Sequence, residues 1–215
     1  MKTELTLADF APVAAKLLAD FLAANDEITA LDQALGDGDL GVTCRLGLQA
    51  IVDLPSPPAE GLGDSLLKAG MAFNQAGAST YGALVATGAM RAAKYAKDNG
   101  LAAWDLPTIA AAAESAAEGI MQRGKAQPGD KTLLDALLPA VAALKSAAAE
   151  GKPLAEGLRA AAEAAAAGAA ATAPWQSKFG RAAWLQERTI GTPDGGATVV
   201  AIALRSVAEY VEQSD

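Results

Sequence analysis

Alanine supplies much of this chain's apolar content, and that limits what it can fold into. Hydrophobic residues make up 52% of the 215 residues, yet aromatics are only 5%. Alanine is the strongest helix former and buries little surface per residue. A core built from it needs helices whose backbones approach closely, whereas a sheet core would draw on Val, Ile and aromatic side chains. The apolar spacing agrees. Thr6–Asp9 has the form of a capping box with Asp as its acidic member, and Phe10, Val13, Leu17 and Phe21 follow at intervals of three and four. Leu106, Ile109, Ala113, Ala116 and Ile120 repeat the pattern, with Gly124 as the expected stop. Asp130 is the expected cap of a helix burying Leu134, Leu137, Val141 and Leu144, which Pro139 should kink. An alanine-rich helix should run from Gly151-Pro153 to about Thr172, and the last should bury Val200, Leu204, Val207 and Val211. Shorter helices are predicted at 43–52, 63–74 and 84–98. No stretch sustains a period of two. About eight helices with short connections predict an all-α antiparallel bundle or barrel forming one domain over residues 1–215.

Composition excludes several chemistries. With 17 Lys+Arg against 25 Asp+Glu, the net charge is -8, the wrong sign for holding a nucleic-acid backbone. The absence of histidine removes Ser-His-Asp and Cys-His nucleophiles, histidine metal ligands and a phosphohistidine carrier. The single cysteine, Cys44, makes neither an internal disulfide nor a thiolate metal site. The N-terminus lacks the apolar core of a signal peptide, and no segment reads as membrane-spanning. A soluble, cytoplasmic protein is expected, with no nucleic-acid or membrane partner.

Four loops carry the residues that chemistry could use. In the first, Asp32, Asp37 and Asp39 fall within eight residues among Gly36, Gly38 and Gly41. Carboxylate oxygens are hard ligands suited to Mg²⁺ or Ca²⁺, but the spacing is not that of an EF-hand. Asp-Gly-Asp is also a common turn with solvated charges; Asp32, at the expected end of a helix, is what favours a metal site. The second loop, Gln75–Ala83, places small residues and Ser79 before an apolar helix. That could be an anion site at a helix N-terminus or simply close packing, and it lacks the Gly-Lys-Ser/Thr of a Walker A loop. The third, Arg123–Thr132, contains a Pro-Gly turn and cations open to an anionic ligand. The fourth runs from Lys178 to Gly196, with Arg181 and Arg188 as candidate phosphate or surface-pair arginines. An acidic cluster, glycine loops and scattered cations together are the inventory of a magnesium–nucleotide site.

Taken in order, the four loops closely resemble the nucleotide-binding L domain of the dihydroxyacetone kinases. The resemblance rests on Asp32 with Asp37-Gly38-Asp39 and Gly41, on Gly77-Ala78-Ser79, and on Gly124-Lys125 with Pro128–Thr132. Gly180-Arg181-Ala182, Glu187-Arg188, Ile190-Gly191 and Asp194 with Gly196-Ala197 complete it. It spans nearly the whole chain. It implies an eight-helix antiparallel barrel with the nucleotide site in the loops at one end. Asp32, Asp37 and Asp39 would hold two Mg²⁺ ions bridging the phosphates of ATP or ADP. Leu40, Gly41, Val42 and Thr43, with Ala78 and Ser79, would line the phosphates. Gly124, Leu133, Arg181, Asp194 and Gly195 would surround the rest of the nucleotide.

The implied reaction is phosphoryl transfer to a hydroxyl of a small ketose. In the family that ketose is held covalently by a histidine of a separate K (DhaK-type) domain or subunit. A chain without histidine cannot provide that anchor, so a substrate-binding partner is expected. Two features depart from the family. Leu40 stands where histidine is frequent, and the Ala76–Ala83 loop is shorter than in well-known bacterial members. Both are compatible with a branch acting on erythrulose or another ketose. A phosphotransferase-system relay, with retained ADP recharged by a phosphocarrier, and a nucleotide-sensing regulatory module are the alternatives, and a homodimer is kept open.

Overall fold

The computed structural model describes residues 2–56, 59 and 61–214. Nine α-helices are present among them: α1 (Phe10–Ala23), α2 (Asn25–Leu35), α3 (Leu40–Val52), α4 (Leu62–Ala76), α5 (Thr80–Asp98), α6 (Leu106–Gly124), α7 (Leu134–Ala149), α8 (Leu154–Ala171) and α9 (Gly195–Gln213). Only Ala24 separates α1 from α2, so the pair is a helix bent once, and the expected count of eight holds in that sense. α1, α3, α4, α5, α6, α7, α8 and α9 each pack on the next, and α9 closes the ring against α1. The all-α expectation holds, with one addition. Glu4–Leu5 (β1) pairs antiparallel with Trp104–Asp105 (β2), a strand pair too short to show a period.

Apolar side chains fill the ring in contiguous clusters. One gathers Leu106, Leu144, Leu154, Leu158 and Val211 with alanines of α6–α9; another gathers Phe21, Ile28, Leu40, Leu48 and Phe73 with Val199 and Ile202. Helix α9 serves both. The stripe read from sequence, Val200, Leu204, Val207 and Val211, meets the first cluster, and Val199 and Ile202 bury a second face against the other. A helix packed on α1, α7 and α8 has neighbours on more than one side.

Helix α6 stops at Gly124 as expected, with Lys125 (φ 62°) as its left-handed cap. The start of α7 differs from expectation. Asp130 does not cap α7. The N-cap position is Leu133, which has no capping side chain, and Asp135 in the first turn reaches back, its carboxylate accepting from the N–H groups of Gly129 (2.6 Å) and Thr132 (2.8 Å) ahead of the helix. Asp130 instead accepts from the Gln127 N–H and pairs with Lys178.

At the N-terminus, the carboxylate of Asp9 accepts from the Thr6 N–H (2.8 Å), the Thr6 hydroxyl (3.0 Å) and the Tyr210 hydroxyl (2.6 Å), and it pairs with Lys2. Burial works against its ionisation, but these donors outweigh it and hold the carboxyl down at about 2. The chain start is thereby fastened to the last helix.

Helix α7 runs through Pro139 without ending. Proline has no N–H to return to the Asp135 carbonyl four residues back, so that oxygen is left without its helical partner. Helix α8 approaches closely there: a Cβ on Gly168 would lie 2.2 Å from the Asp135 oxygen. Gly168→Ala is therefore expected to cost about 2 kcal/mol by forcing α7 and α8 apart. Urea unfolding measures it, and an unchanged midpoint would show that the helices separate freely.

Candidate functional site

Alternate connections of the ring converge at one end around a cleft of about 340 Å³. Its walls come from the α2–α3 loop, the start of α5, the α6–α7 loop and the long segment 172–194 that leads into α9. Helices α3, α5 and α9 all begin at this cleft, so three N-termini bring positive dipole ends and unpaired N–H groups to it. Two of those ends are capped. Ser79 Oγ accepts from the Gly82 N–H (3.0 Å), and the Asp194 carboxylate accepts from the Ala197 N–H (2.7 Å).

The acidic cluster is assembled locally. Asp32 sits in the last turn of α2, and its carboxylate accepts from the Leu40 N–H (2.9 Å), the first residue of α3. The chain reverses between them through Gly38, whose φ of +77° is disfavoured for residues with a Cβ. This returns Asp37 and Asp39 towards Asp32, and one oxygen from each carboxylate lies within 4.8 Å of the others. Three converging carboxylates, two of them exposed, are an electrostatic conflict that a hard cation resolves. In this structure Arg181 relieves it, pairing closely with Asp37 and lying 3.8 Å from Asp39. The donor set thus fits Mg²⁺: it is all oxygen, it is convergent, and it already attracts a cation.

Of the residues singled out from sequence, Asp32, Asp37, Asp39, Leu40, Ala78, Ser79, Leu133, Arg181, Asp194 and Gly195 line the cleft. Gly41, Val42, Thr43 and Gly124 do not. Gly41 and Thr43 are buried in α3, with Gly41 facing Asn25 and Thr29 of α2. Val42 points outward, and Gly124 ends α6 beside Leu84, which itself lines the cleft. Tyr81 and Phe179 also line it and were not singled out, although both stand inside the loops that were. Burial, with Cys44 and Asp194 nearby, pushes the Tyr81 phenol well up. Burial likewise takes the Cys44 thiol up to about 12, with Asp32 adding to the effect, so the thiol stays protonated and inert at neutral pH.

Two of the third loop's three cations, Lys131 and Arg123, are engaged within the protein, although the sequence reads them as open to a ligand. Lys131 is 2% exposed, and its ammonium donates to the carbonyls of Trp175 (3.0 Å), Thr189 (2.6 Å) and Thr192 (2.6 Å). Burial draws its pKa down, and the nearby Asp194 charge works the other way. Arg123 bonds the Thr87 hydroxyl, away from the cleft. Arg188 is exposed and lies outside the lining. Four carboxylates therefore face the cleft against one exposed cation, Arg181, the ammonium of Lys131 being taken up by carbonyls. A polyphosphate would be repelled by that wall unless metal ions intervened.

The DAK2 domain pattern matches residues 34–209. The chain is 38% identical over 203 residues to a D-erythrulose kinase of Mycolicibacterium smegmatis, covering 93% of this chain and 34% of that one. It is 31% identical over 189 residues to the ADP-binding subunit DhaL of the PEP-dependent dihydroxyacetone kinase of Escherichia coli, covering 87% and 89%. It therefore spans about a third of the erythrulose kinase and most of the DhaL subunit. The dihydroxyacetone kinase of C. freundii has a similar fold, with a TM-score of 0.73 at 24% identity over 97% of this chain and 36% of that one. A second structure of that enzyme, in complex with AMP-PNP and Mg²⁺, matches with a TM-score of 0.69 at 24% identity, covering 94% of this chain and 33% of that one. The chain belongs to the DAK2 domain family.

Asp194 gives the site a pH signature. Burial raises its carboxyl from 3.8 to about 6, against the opposing Ala197 N–H bond, with Asp135 and Asp32 adding to the rise. The folded state thus binds this proton more tightly than the unfolded chain. The associated stability is present below about pH 4 and is lost as pH rises to about 6. The loss should amount to about 3 kcal/mol. Asp194→Asn keeps an acceptor for the cap and removes the charge, so its metal-free urea midpoints between pH 4 and 6 should lack this decline. An identical slope in the variant would assign the titration to another group.

Proposed function

We propose that this chain is the nucleotide-binding, phosphoryl-transferring part of a short-chain ketose kinase. The observation that carries the reading is the convergence of Asp32, Asp37 and Asp39 within 4.8 Å at a cleft onto which three helix N-termini open. Supporting it, the relatives of the same family are kinases, and the similar C. freundii enzyme has been seen with AMP-PNP and Mg²⁺.

In this reading Asp32, Asp37 and Asp39 hold two Mg²⁺ ions, whose charge offsets that of the β- and γ-phosphates of ATP. Ala78, Ser79 and the N-terminus of α3 at Leu40 bring dipole ends and small groups to the phosphate side. Leu133 and the Asp194-Gly195 turn enclose the remainder of the nucleotide, with Gly124 behind the lining residue Leu84. Arg181, no longer needed to neutralise Asp37 and Asp39, becomes available to a phosphate. The bond between the γ-phosphorus and its bridging oxygen breaks, a new one forms to the ketose hydroxyl, and that hydroxyl loses its proton. With no histidine in this chain, the acceptor and its base are assigned to a partner domain or subunit. Trp184 (81% exposed), Phe179 and Ile190 stand exposed on the segment bordering the cleft, which suits a face that a partner covers.

Calorimetric titration of nucleotide-stripped protein with ADP is expected to show binding only with Mg²⁺ present. Asp37→Ala should weaken that binding at least a hundredfold, equivalent to about 2.7 kcal/mol. Binding that ignores both the metal and the mutation would overturn the reading.

The purified chain alone should not phosphorylate dihydroxyacetone or erythrulose. Turnover by the isolated chain would show that no partner is needed. The donor remains to be distinguished by the same material: ADP retained through purification favours a relay like that of the PEP-dependent relative, and a freely exchanging site favours direct use of ATP.

A further inference from the structure

We propose that Lys131 is a positioning residue, holding the 172–194 segment so that Arg181 is delivered to the acidic cluster. Three carbonyls take all three protons of its ammonium, leaving it no capacity for a ligand. Those carbonyls bracket the segment, with Trp175 near its start and Thr189 and Thr192 near its end. A single buried cation thereby pins both ends of the loop to one point. The preceding residue adds a further tether: the Asp130 carbonyl accepts from the Lys178 N–H (3.2 Å), and its carboxylate pairs with Lys178 Nζ (2.9 Å).

What lies between the pinned ends is the wall of the cleft. Phe179, Gly180, Arg181 and Ala182 all face it, and Arg181 reaches Asp37 and Asp39 from there. The backbone is bent to make this possible. Lys131 has a φ of 62°, and Gln186, within the segment, has a φ of 50°. Non-glycine residues in that region persist only where surrounding contacts compel them. Both are at this end of the ring, as is Lys125, the remaining example among the described residues. Without the ammonium, carbonyls at both ends of the segment, that of Thr189 in a buried bond, would lose their donor, and the segment would have no common anchor.

The claim about the segment stands on its contacts; the claim about affinity rests on the nucleotide reading above. Two measurements separate them. The first is trypsin cleavage of the native, ligand-free protein, with cuts after Lys178, Arg181 and Arg188 followed by mass spectrometry. Lys131→Gln should speed them at least tenfold, and Lys131→Arg, which keeps a charged donor, should restore much of the protection. Equal cleavage in all three proteins would overturn the anchoring.

The second is Mg²⁺–ADP affinity across wild type, Lys131→Gln, Arg181→Ala and the double variant. Lys131→Gln should weaken binding about tenfold in the wild-type background and less than twofold when Arg181 is already gone, because its effect passes through that arginine. A full tenfold loss in both backgrounds would overturn the positioning role, since a general loosening of the fold would act in either. If Lys131→Gln does not fold, Lys131→Arg carries the same cycle with a smaller expected loss. If wild type binds no Mg²⁺–ADP, the nucleotide reading fails and the cleavage experiment alone decides the anchoring.

Discussion

Close backbone approach is the constraint on which the rest of this molecule depends. A ring of helices with few aromatic side chains to span gaps closes only if neighbours come near enough for alanine to fill the space. The α7–α8 contact shows how far this goes: the proline-freed carbonyl of Asp135 lies where any side chain on Gly168 would intrude. The fully buried alanines Ala136, Ala161 and Ala165 lie in the same cluster. Once the ring closes, its alternate connections must gather at one end, and the cleft follows from that closure.

At that end the protein gathers charges at a cost that their pairing offsets only in part. Asp32, Asp37 and Asp39 repel, Asp194 is held above its usual pKa by burial, and Lys131 is a cation dissolved in carbonyl oxygens. Stability alone would not select such an arrangement, because each feature opposes folding or forgoes a simpler apolar solution. The left-handed non-glycine residues Lys125, Lys131 and Gln186 belong to the same end. The concentration of unfavourable charge and backbone strain in one set of loops, above a well-packed alanine ring, separates the working end from the scaffold.

The helices were readable because periodicity is a local property. The spacing of Phe10, Val13, Leu17 and Phe21, or of Leu106, Ile109 and Ile120, identifies a helix whatever it packs against. Boundaries were less readable where two residues offered the same chemistry. Asp130 reads as the cap of α7, but the helix begins at Leu134, and it is Asp135 that binds the Gly129 and Thr132 N–H groups, depending on how the preceding Pro-Gly turn presents them. The second buried face of α9 was hidden for a related reason: one stripe reports one neighbour, and closing a ring gives α9 more.

The acidic cluster was legible because its three members lie within eight residues and glycines between them announce a tight reversal. The role of Lys131 was not. A lysine beside a Pro-Gly turn reads as solvated, and its burial depends on carbonyls 44, 58 and 61 residues further along the chain. The pairing of Arg181 with Asp37 is equally remote. By itself, then, the sequence determined the helices, the absence of histidine chemistry and the metal-type carboxylates, all consequences of composition and short-range spacing. Tertiary structure alone decided which cations face the cleft, which carboxylate ties the Pro-Gly turn to α7 and how Asp194 titrates. Those outcomes depend on burial and on partners that only the closed ring brings together.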